Sequence, residues 1–459
     1  MTLDEVLHQK SGGPQGPTER TAAGRGEAAS EAVSDEAESA RHAQTSRGAG
    51  DLLWQVLARE NMVRAWKRVV ANKGSAGVDG RTVQETREYL KQAWPDIRRR
   101  LLDGSYRPDP VRRVGIPKPG GGVRELGIPT VVDRLIQQAL LQVLQPLLDP
   151  TFSEHSHGFR PGRSAQDAVL EAQQHVQAGC TVVVDVDLEK FFDRVNHDIL
   201  MDRLAKRVTD KPVLRLIRRY LQAGILAHGV LSQRVEGTPQ GGPLSPLLAN
   251  VLLDEVDREL ERRGHRFVRY ADDCNVYVKS QKAGERVLQA LRGCYAKLAL
   301  KVNESKTAVA VVWGRKFLGY CLQPFKGGVR LAVAAQSLVK LRERIRQLTR
   351  RVAGRSLEQI ASKLRAYVPG WKEYFRLAPM PAQRKALDQW LRHRLRALQL
   401  KYWRRGPTAY RELRKLGARV DEAKLIAGQL RRWWHTSGLG VNRLLPIAHF
   451  DRLGVPKFS

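Results

Sequence analysis

The chain has 459 residues, 42% apolar and 27% charged, with 79 Lys and Arg against 47 Asp and Glu, a net of +32. That length exceeds one hydrophobic core at ~100–200 residues per domain, and there is no apolar run of the ~20 residues a membrane helix needs. A folded chain this basic points to a polyanionic partner.

The charge is unevenly placed: residues 1–50 hold 5 basic and 8 acidic side chains, residues 341–440 hold 25 and 7. The four cysteines, Cys180, Cys274, Cys294 and Cys321, form no C-x-x-C pair. They argue against a disulfide framework or a cysteine-based zinc module and fit a reducing cytoplasm. Residues 1–50 have no apolar h-region and so are no secretory signal. Their Gly, Ser, Ala, Glu and Arg content cannot offset ordering entropy, so 1–50 is expected to be a disordered leader.

Order is expected from Asp51, where Leu52, Leu53, Val56 and Leu57 form a helical stripe. A glycine-rich loop follows at 72–80. Residues 111–129 read as a hairpin around the Pro-Gly-Gly-Gly turn at 119–122. An amphipathic helix is expected over 133–148, carried by Leu135, Ile136, Ala139, Leu140, Val143, Leu144 and Leu147. The β-branched run 181–188 predicts a central strand. Residues 267–277 read as one arm of a second hairpin, interrupted by two aspartates. Beyond 335, Leu338, Leu341, Ile345, Leu348 and Val352 step along one helix face, and Leu387, Leu391, Leu395, Leu398 and Tyr402 along another.

Two acidic sites interrupt apolar strands: Asp185 and Asp187 within 184–193 (VDVDLEKFFD), and Asp272 and Asp273 within 270–273 (YADD). A carboxylate on a buried strand is costly unless paired or metal-bound. Alternation puts Asp185 and Asp187 on one strand face, and adjacent aspartates suit a tight hairpin turn. Together they would form a cage of hard oxygens fit for two magnesium ions ~3.5–4 Å apart, with manganese as a substitute.

At these residues the chain resembles the bacterial group II intron reverse transcriptases, or maturases. The matching stretches are YADD at 270–273, GIPKPGGGVRELGIP at 115–129, HGFRPGRS at 157–164, DLEKFFDRVNH at 187–197, GTPQGGPLSP at 237–246, LKVNESKT at 300–307, FLGY at 317–320 and LRAYVPGWKEYF at 364–375. The resemblance covers about 51–440. It implies an α+β right-hand polymerase, with fingers and palm over 51–330, then an all-helical basic thumb or maturase domain over 331–440 that binds intron RNA. Residues 441–459 are expected to be a C-terminal tail, too short for the cysteine/histidine endonuclease of many relatives.

The resemblance also implies roles. Asp187, Asp272 and Asp273 would be the catalytic, metal-binding triad, with the Leu188 carbonyl also touching a metal. Lys118, Arg124, Phe192, Gln240 and Lys306 would contact the deoxynucleoside triphosphate, Phe192 as a steric gate against the 2′-hydroxyl. Phe317, Leu318, Gly319 and Tyr320 would hold the primer end. His157, Arg160 and Arg163 would face the template, or brace their own loop. Arg392, Arg396, Arg404, Arg405, Arg431 and Arg432 would bind RNA beside interleaved tryptophans. Cys274 reads as a packing residue. The implied partners are group II intron RNA and a template RNA/DNA primer duplex, with no membrane. The competing readings are a reverse transcriptase recruited to defence or diversification, and a non-enzymatic splicing chaperone.

Overall fold

The structure, a computed structural model, describes residues 51–117, 121–227, 230–232, 236–238, 241–350, 354–438 and 440–459. The leader at 1–50, together with Lys118, Gln240 and Val352, lies outside the described residues. The chain divides into two compact units: 1–164 with 182–310, and 165–181 with 311–459.

The first unit opens on the helices Asp51–Val56, Arg59–Ala71 and Val83–Leu102. The last begins at a capping box, in which Glu85 N–H donates to the Thr82 hydroxyl and Thr82 N–H donates to the Glu85 carboxylate. Strands β1 (Val111–Pro117) and β2 (Val123–Ile128) form the expected hairpin, with Val114 opposite Leu126.

The second sheet of this unit carries the site. In chain order its strands are β3 (Val182–Val186), β6 (Arg266–Tyr270), β7 (Asp273–Val278) and β8 (Ala308–Val311). In space they run β6-β7-β3-β8, and the pairs β6–β7 and β3–β7 are antiparallel. The short strands β4 (Ile225–Ala227) and β5 (Val230–Ser232) extend the first sheet to β2-β1-β4-β5. Residues 267–277 therefore supply both arms of a hairpin rather than one. Ala271 is the reason: it takes φ +59°, a left-handed conformation that ends one strand and starts the next. The helix Ser245–Arg262 packs on this sheet and buries residues on nearly every side, from Leu247 to Leu260.

The helix Val131–Leu148 matches the 133–148 expectation and buries Leu135, Ile136, Leu140 and Leu144. It also buries Asp133. The carboxylate accepts from Tyr106 Oη at 2.8 Å and Thr130 Oγ1 at 2.7 Å, yet burial pushes its pKa up to about 6. An unfolded aspartate titrates near ~3.9, so the native state holds this proton more tightly between about pH 4 and 6. Stability contributed here is present below that window and falls as pH rises through it, by roughly 3 kcal/mol. Asp133→Asn should gain about that much on the wild type between pH 4 and 6 in parallel urea melts. A constant difference would contradict the burial argument.

The second unit contains β9 (Lys316–Phe317), β10 (Tyr320–Phe325) and β11 (Gly328–Val333) in the order β11-β10-β9. The helix Ala165–Gln177 joins it: Gln173 Nε2 donates to the Val329 carbonyl at 2.6 Å and Gln166 Nε2 to that of Tyr374 at 3.0 Å. From Ala335 onward the described residues are helical and irregular only, with Ala335–Leu348, Leu357–Tyr374 and Pro381–Tyr402 the longest helices. Residues 441–459 are packed rather than trailing. Val441, Phe450 and Phe458 are buried, and Phe458 meets the Trp371 ring edge-on at 5.8 Å. Among the described residues no helix is long and apolar enough to cross a membrane.

Candidate active site

Strand β3 ends at Val186, leaving Asp187 one residue beyond the sheet. Residues 303–307 wrap it. Asn303 N–H donates to the Asp187 carbonyl at 2.8 Å, and Asn303 Nδ2 donates to Asp187 Oδ1 at 3.1 Å. Asp187 N–H donates to Thr307 Oγ1 at 3.2 Å, and Lys306 Nζ lies 3.4 Å from both carboxylate oxygens. Leu188, buried, bridges to Val302. Sequence reasoning singled out Lys306 but missed Asn303 and Thr307, whose small polar side chains carry no signal alone.

The other aspartates sit on the β6–β7 turn. Tyr270 pairs with Asp273, leaving Ala271 and Asp272 as the two turn residues. The strained Ala271 is held from two sides. Arg269 Nη1 donates to the Ala271 carbonyl at 2.8 Å and to Asn250 Oδ1 at 3.0 Å. The rest of that guanidinium donates to the Asp257 carboxylate, at 2.8 Å from Nε and 2.6 Å from Nη2, and to Ser156 Oγ at 2.7 Å. Arg269 and Asp257 are both fully buried. On the other side lies Gly158, whose carbonyl accepts from Asn250 Nδ2 at 2.9 Å. A Cβ at 158 would stand 2.1 Å from the Ala271 nitrogen, so only glycine fits. Gly158→Ala should displace the turn and cut primer extension more than about tenfold, since ~1 Å of misplacement is that costly. Unchanged extension would show that the turn tolerates the shift.

The electrostatics tie the two clusters together. Burial, and then the Asp187 charge, raise the Asp272 carboxyl above the usual range. A hydrogen bond from its own backbone and the Arg124 and Arg269 guanidiniums oppose the rise. Asp273 is exposed at the start of β7. A half-buried carboxyl whose ionisation a neighbouring carboxylate penalises belongs to the kind of donor set a divalent cation relieves. Asp185 lies inside β3 opposite Asn275. Cys274 is buried, and burial pushes its thiol up to about 12, which leaves it unreactive.

Phe192 is buried with its ring edge-on to Phe191 at 5.1 Å. Its carbonyl accepts from Thr238 N–H at 2.7 Å, which pins Thr238 beside it. Gly237 takes φ +88° there, where a Cβ would lie 2.8 Å from the Asp193 carbonyl oxygen.

The first unit thus brings Asp187 and Arg124 within electrostatic reach of Asp272, and Lys306 onto Asp187. Phe317, Leu318, Gly319 and Tyr320 lie in the second unit. There Tyr374 Oη donates to the Leu318 carbonyl at 2.8 Å, and Ser337 Oγ donates to that of Gly319 at 2.9 Å. Leu318 and Gly319 both have positive φ, so this turn is shaped by its packing.

The basic candidates separate by exposure. Arg160 is buried and donates to Asp149 and to the Ser153 and Ser156 carbonyls, and its neighbour His157 is also buried. Arg163 binds the Glu154 carbonyl at 2.6 Å and its carboxylate. Arg392 is buried against Asp451 at 3.2 Å, and Arg396 Nε donates to the Leu445 carbonyl at 2.9 Å. These side chains brace the fold. Arg404, Arg405, Arg431 and Arg432 are exposed. Trp371 is buried, and Trp390 lies under the guanidiniums of Arg346 and Arg394, 5.8 and 5.4 Å from its ring.

An aspartate at a strand end beside a two-aspartate hairpin turn, with cations around them, is a donor set suited to two-metal nucleotidyl transfer. Comparison with known proteins narrows that class. Residues 116–322 match the family described as reverse transcriptase (RNA-dependent DNA polymerase), and residues 338–417 match the group II intron, maturase-specific domain. Protein YkfC of Escherichia coli is 33% identical over 313 residues, covering 59% of this chain and 82% of that protein. The group II intron-encoded protein LtrA of Lactococcus lactis is 36% identical over 195 residues, covering 42% of this chain and 32% of LtrA. A solved partial Cas6-RT-Cas1--Cas2 complex aligns over 51% of this chain and 41% of its own at 27% identity, with a TM-score of 0.33. The chain belongs to the group II intron-encoded reverse transcriptases, with a polymerase domain followed by a maturase-specific domain.

Proposed function

We propose that this chain copies group II intron RNA into DNA from the 3′-hydroxyl of a DNA primer and assists splicing of the same RNA. The observation that carries it is the approach of Asp187 to the Asp272 turn beside Lys306 and Arg124. Asp187, Asp272 and Asp273, with the Leu188 carbonyl, would hold two magnesium ions. Bound there, such ions lower the pKa of the attacking hydroxyl and neutralise the leaving pyrophosphate.

The chain's own groups do the rest. Arg124, with Lys118, presents positive charge to the triphosphate. Lys306 releases Asp187 and turns toward the leaving phosphates. Gln240 lines the nucleotide pocket, and Phe317 to Tyr320 hold the primer end. The exposed Arg404, Arg405, Arg431 and Arg432 supply phosphate contacts to intron RNA, and preferential binding of its splicing-competent form shifts that RNA's population. The place of work is the cytoplasm.

Extension of a DNA primer on an RNA template tests the polymerase. A second variant tests the pocket: the Phe192 ring stacks under the deoxyribose and excludes a 2′-hydroxyl. Phe192→Val should raise ribonucleotide incorporation relative to deoxyribonucleotide by roughly ten- to hundredfold. Unchanged discrimination in competition assays would remove Phe192 from the site.

A further inference from the structure

His197 ends the stretch 187–197 and has no part in the chemistry described so far, yet its side chain is buried. It is the first residue of the helix His197–Ala205, which buries Leu200 and Leu204. Asn196 caps that helix: its Oδ1 accepts from the Asp198 and Ile199 N–H groups, each at 3.0 Å. The imidazole therefore projects from a rigid element.

The segment 236–238, from a distant part of the chain, lies along 192–196. Thr238 N–H donates to the Phe192 carbonyl and Gly237 N–H to that of Val195, both at 2.7 Å, and Glu236 bridges antiparallel to Asn196. His197 adds a side chain to this seam, with Nε2 2.7 Å from the Gly237 carbonyl oxygen. A carbonyl only accepts, so Nε2 carries the proton. The segment is tied on its other side too, where Thr238 Oγ1 donates to Ser245 Oγ at 2.9 Å, at the start of the helix Ser245–Arg262.

This seam leaves Gly237 little slack. A Cβ there would stand 3.0 Å from the Phe192 carbonyl oxygen, besides its clash with Asp193. Both backbone polar groups of Gly237 are engaged, the N–H by Val195 and the carbonyl by His197. Phe192 itself sits in one short 3-10 turn, Phe191–Asp193, entered through Lys190 at φ +49°. A turn of that kind is weakly held by its own bonds, and the seam supplies further ones.

We propose that His197 is a positioning residue for sugar discrimination, an inference that rests on the reading of Phe192 as the gate. By holding the Gly237 carbonyl, His197 fixes 236–238 on the Phe192 backbone and so fixes the height of the Phe192 ring under the incoming sugar. Discrimination against one hydroxyl is sensitive to such placement, since ~1 Å of displacement is felt at a reacting centre. Without its donor the Gly237 carbonyl shifts to find another, and the ring recedes.

The test is competition between a ribonucleotide and the matching deoxyribonucleotide for one primer end on an RNA template, with the full chain and magnesium. The ratio of the two kcat/KM values cancels the fraction of active enzyme, so a variant that is merely less stable leaves it unchanged. His197→Asn, whose amide is too short to reach Gly237, should move the ratio toward the ribonucleotide by roughly three- to tenfold, mainly through a lower ribonucleotide KM. His197→Leu fills the buried space without a donor and should do the same, which keeps the test open if the asparagine is not tolerated. His197→Gln should stay within about twofold of the wild type, because its Nε2 extends about as far as that of the imidazole and donates the same bond. In a Phe192→Val background, His197→Asn should add little, since both changes act through one ring. A wild-type ratio in the Asn and Leu variants, a Gln variant as altered as they are, or an undiminished shift in the Phe192→Val background would overturn the role of His197. If Phe192→Val alone leaves discrimination unchanged, the gate reading falls and the positioning role with it. If Phe192→Val relaxes discrimination and the His197 variants do not, only the positioning role falls.

Discussion

Asp272→Asn should lower primer extension on an RNA template by at least about a thousandfold and leave RNA affinity within about twofold. The reasoning is electrostatic. The Asp272 carboxyl is half-buried beside the Asp187 charge, an arrangement unfavourable by itself that becomes favourable when a cation binds between them. Asparagine keeps the shape and one oxygen but removes the charge that draws a divalent ion. A lost catalytic metal forfeits several kcal/mol of transition-state stabilisation, and each ~1.4 kcal/mol is tenfold in rate. In the proposed function RNA affinity is carried elsewhere, by arginines such as Arg404 and Arg431, which are exposed. The measurement is single-turnover extension beside filter binding of the same RNA. Extension at wild-type rate would sink the assignment of the triad, and a matching loss of RNA affinity would mean the variant is misfolded.

The largest effect on stability should come from Arg269→Leu, about 3–5 kcal/mol, because it strands the buried Asp257 carboxylate without a partner. Arg269→Lys should recover little, since one ammonium cannot reach Asp257, Asn250, Ser156 and the Ala271 carbonyl together. The double variant Arg269→Leu with Asp257→Leu separates the two duties of the guanidinium. Removing both charges should restore much of the stability, as replacing a buried pair by apolar side chains commonly does. Extension should stay low, because the Ala271 carbonyl remains untethered and its left-handed turn is free to relax. Denaturant melts and extension rates on the same preparations decide it. If the double variant regains activity with stability, Arg269 is only a packing element.

Much of this was legible because the chemistry is local in sequence. Asp187, Asp272 and Asp273 stand out in the sequence as carboxylates amid apolar runs, and helix periodicity found Val131–Leu148 to within two residues and the face of Pro381–Tyr402 from Leu387 onward. What was hidden depends on pairs far apart in the chain. Arg269 could have been suspected, as a cation amid Phe267, Val268 and Tyr270, but nothing in sequence says that its partner is Asp257. The fixing of Asp187 by Asn303 and Thr307 needs the strand pairing to exist first. The basic candidates were hardest to read, because burial decides their role. Arg392 and Arg404 look alike in a sequence, yet one is locked against Asp451 and the other faces solvent. The hairpin at 267–277 was misdrawn because an alanine in a left-handed turn leaves no mark in composition.

The membership of the helix Ala165–Gln177 in the second unit has a consequence for synthesis. Its buried face, with Ala168, Val169, Ala172 and Val176, emerges from the ribosome early, whereas β11 and Tyr374 come more than a hundred residues later. At ~5–20 residues per second, the apolar face of this helix waits roughly ten to thirty seconds for β11. During that interval the nascent chain is open to wrong pairings. The second unit also cannot be cut out with one pair of scissors. A fragment beginning at 311 would lack the helix whose Gln166 and Gln173 tie down the Tyr374 and Val329 carbonyls, and a usable fragment needs that helix grafted back.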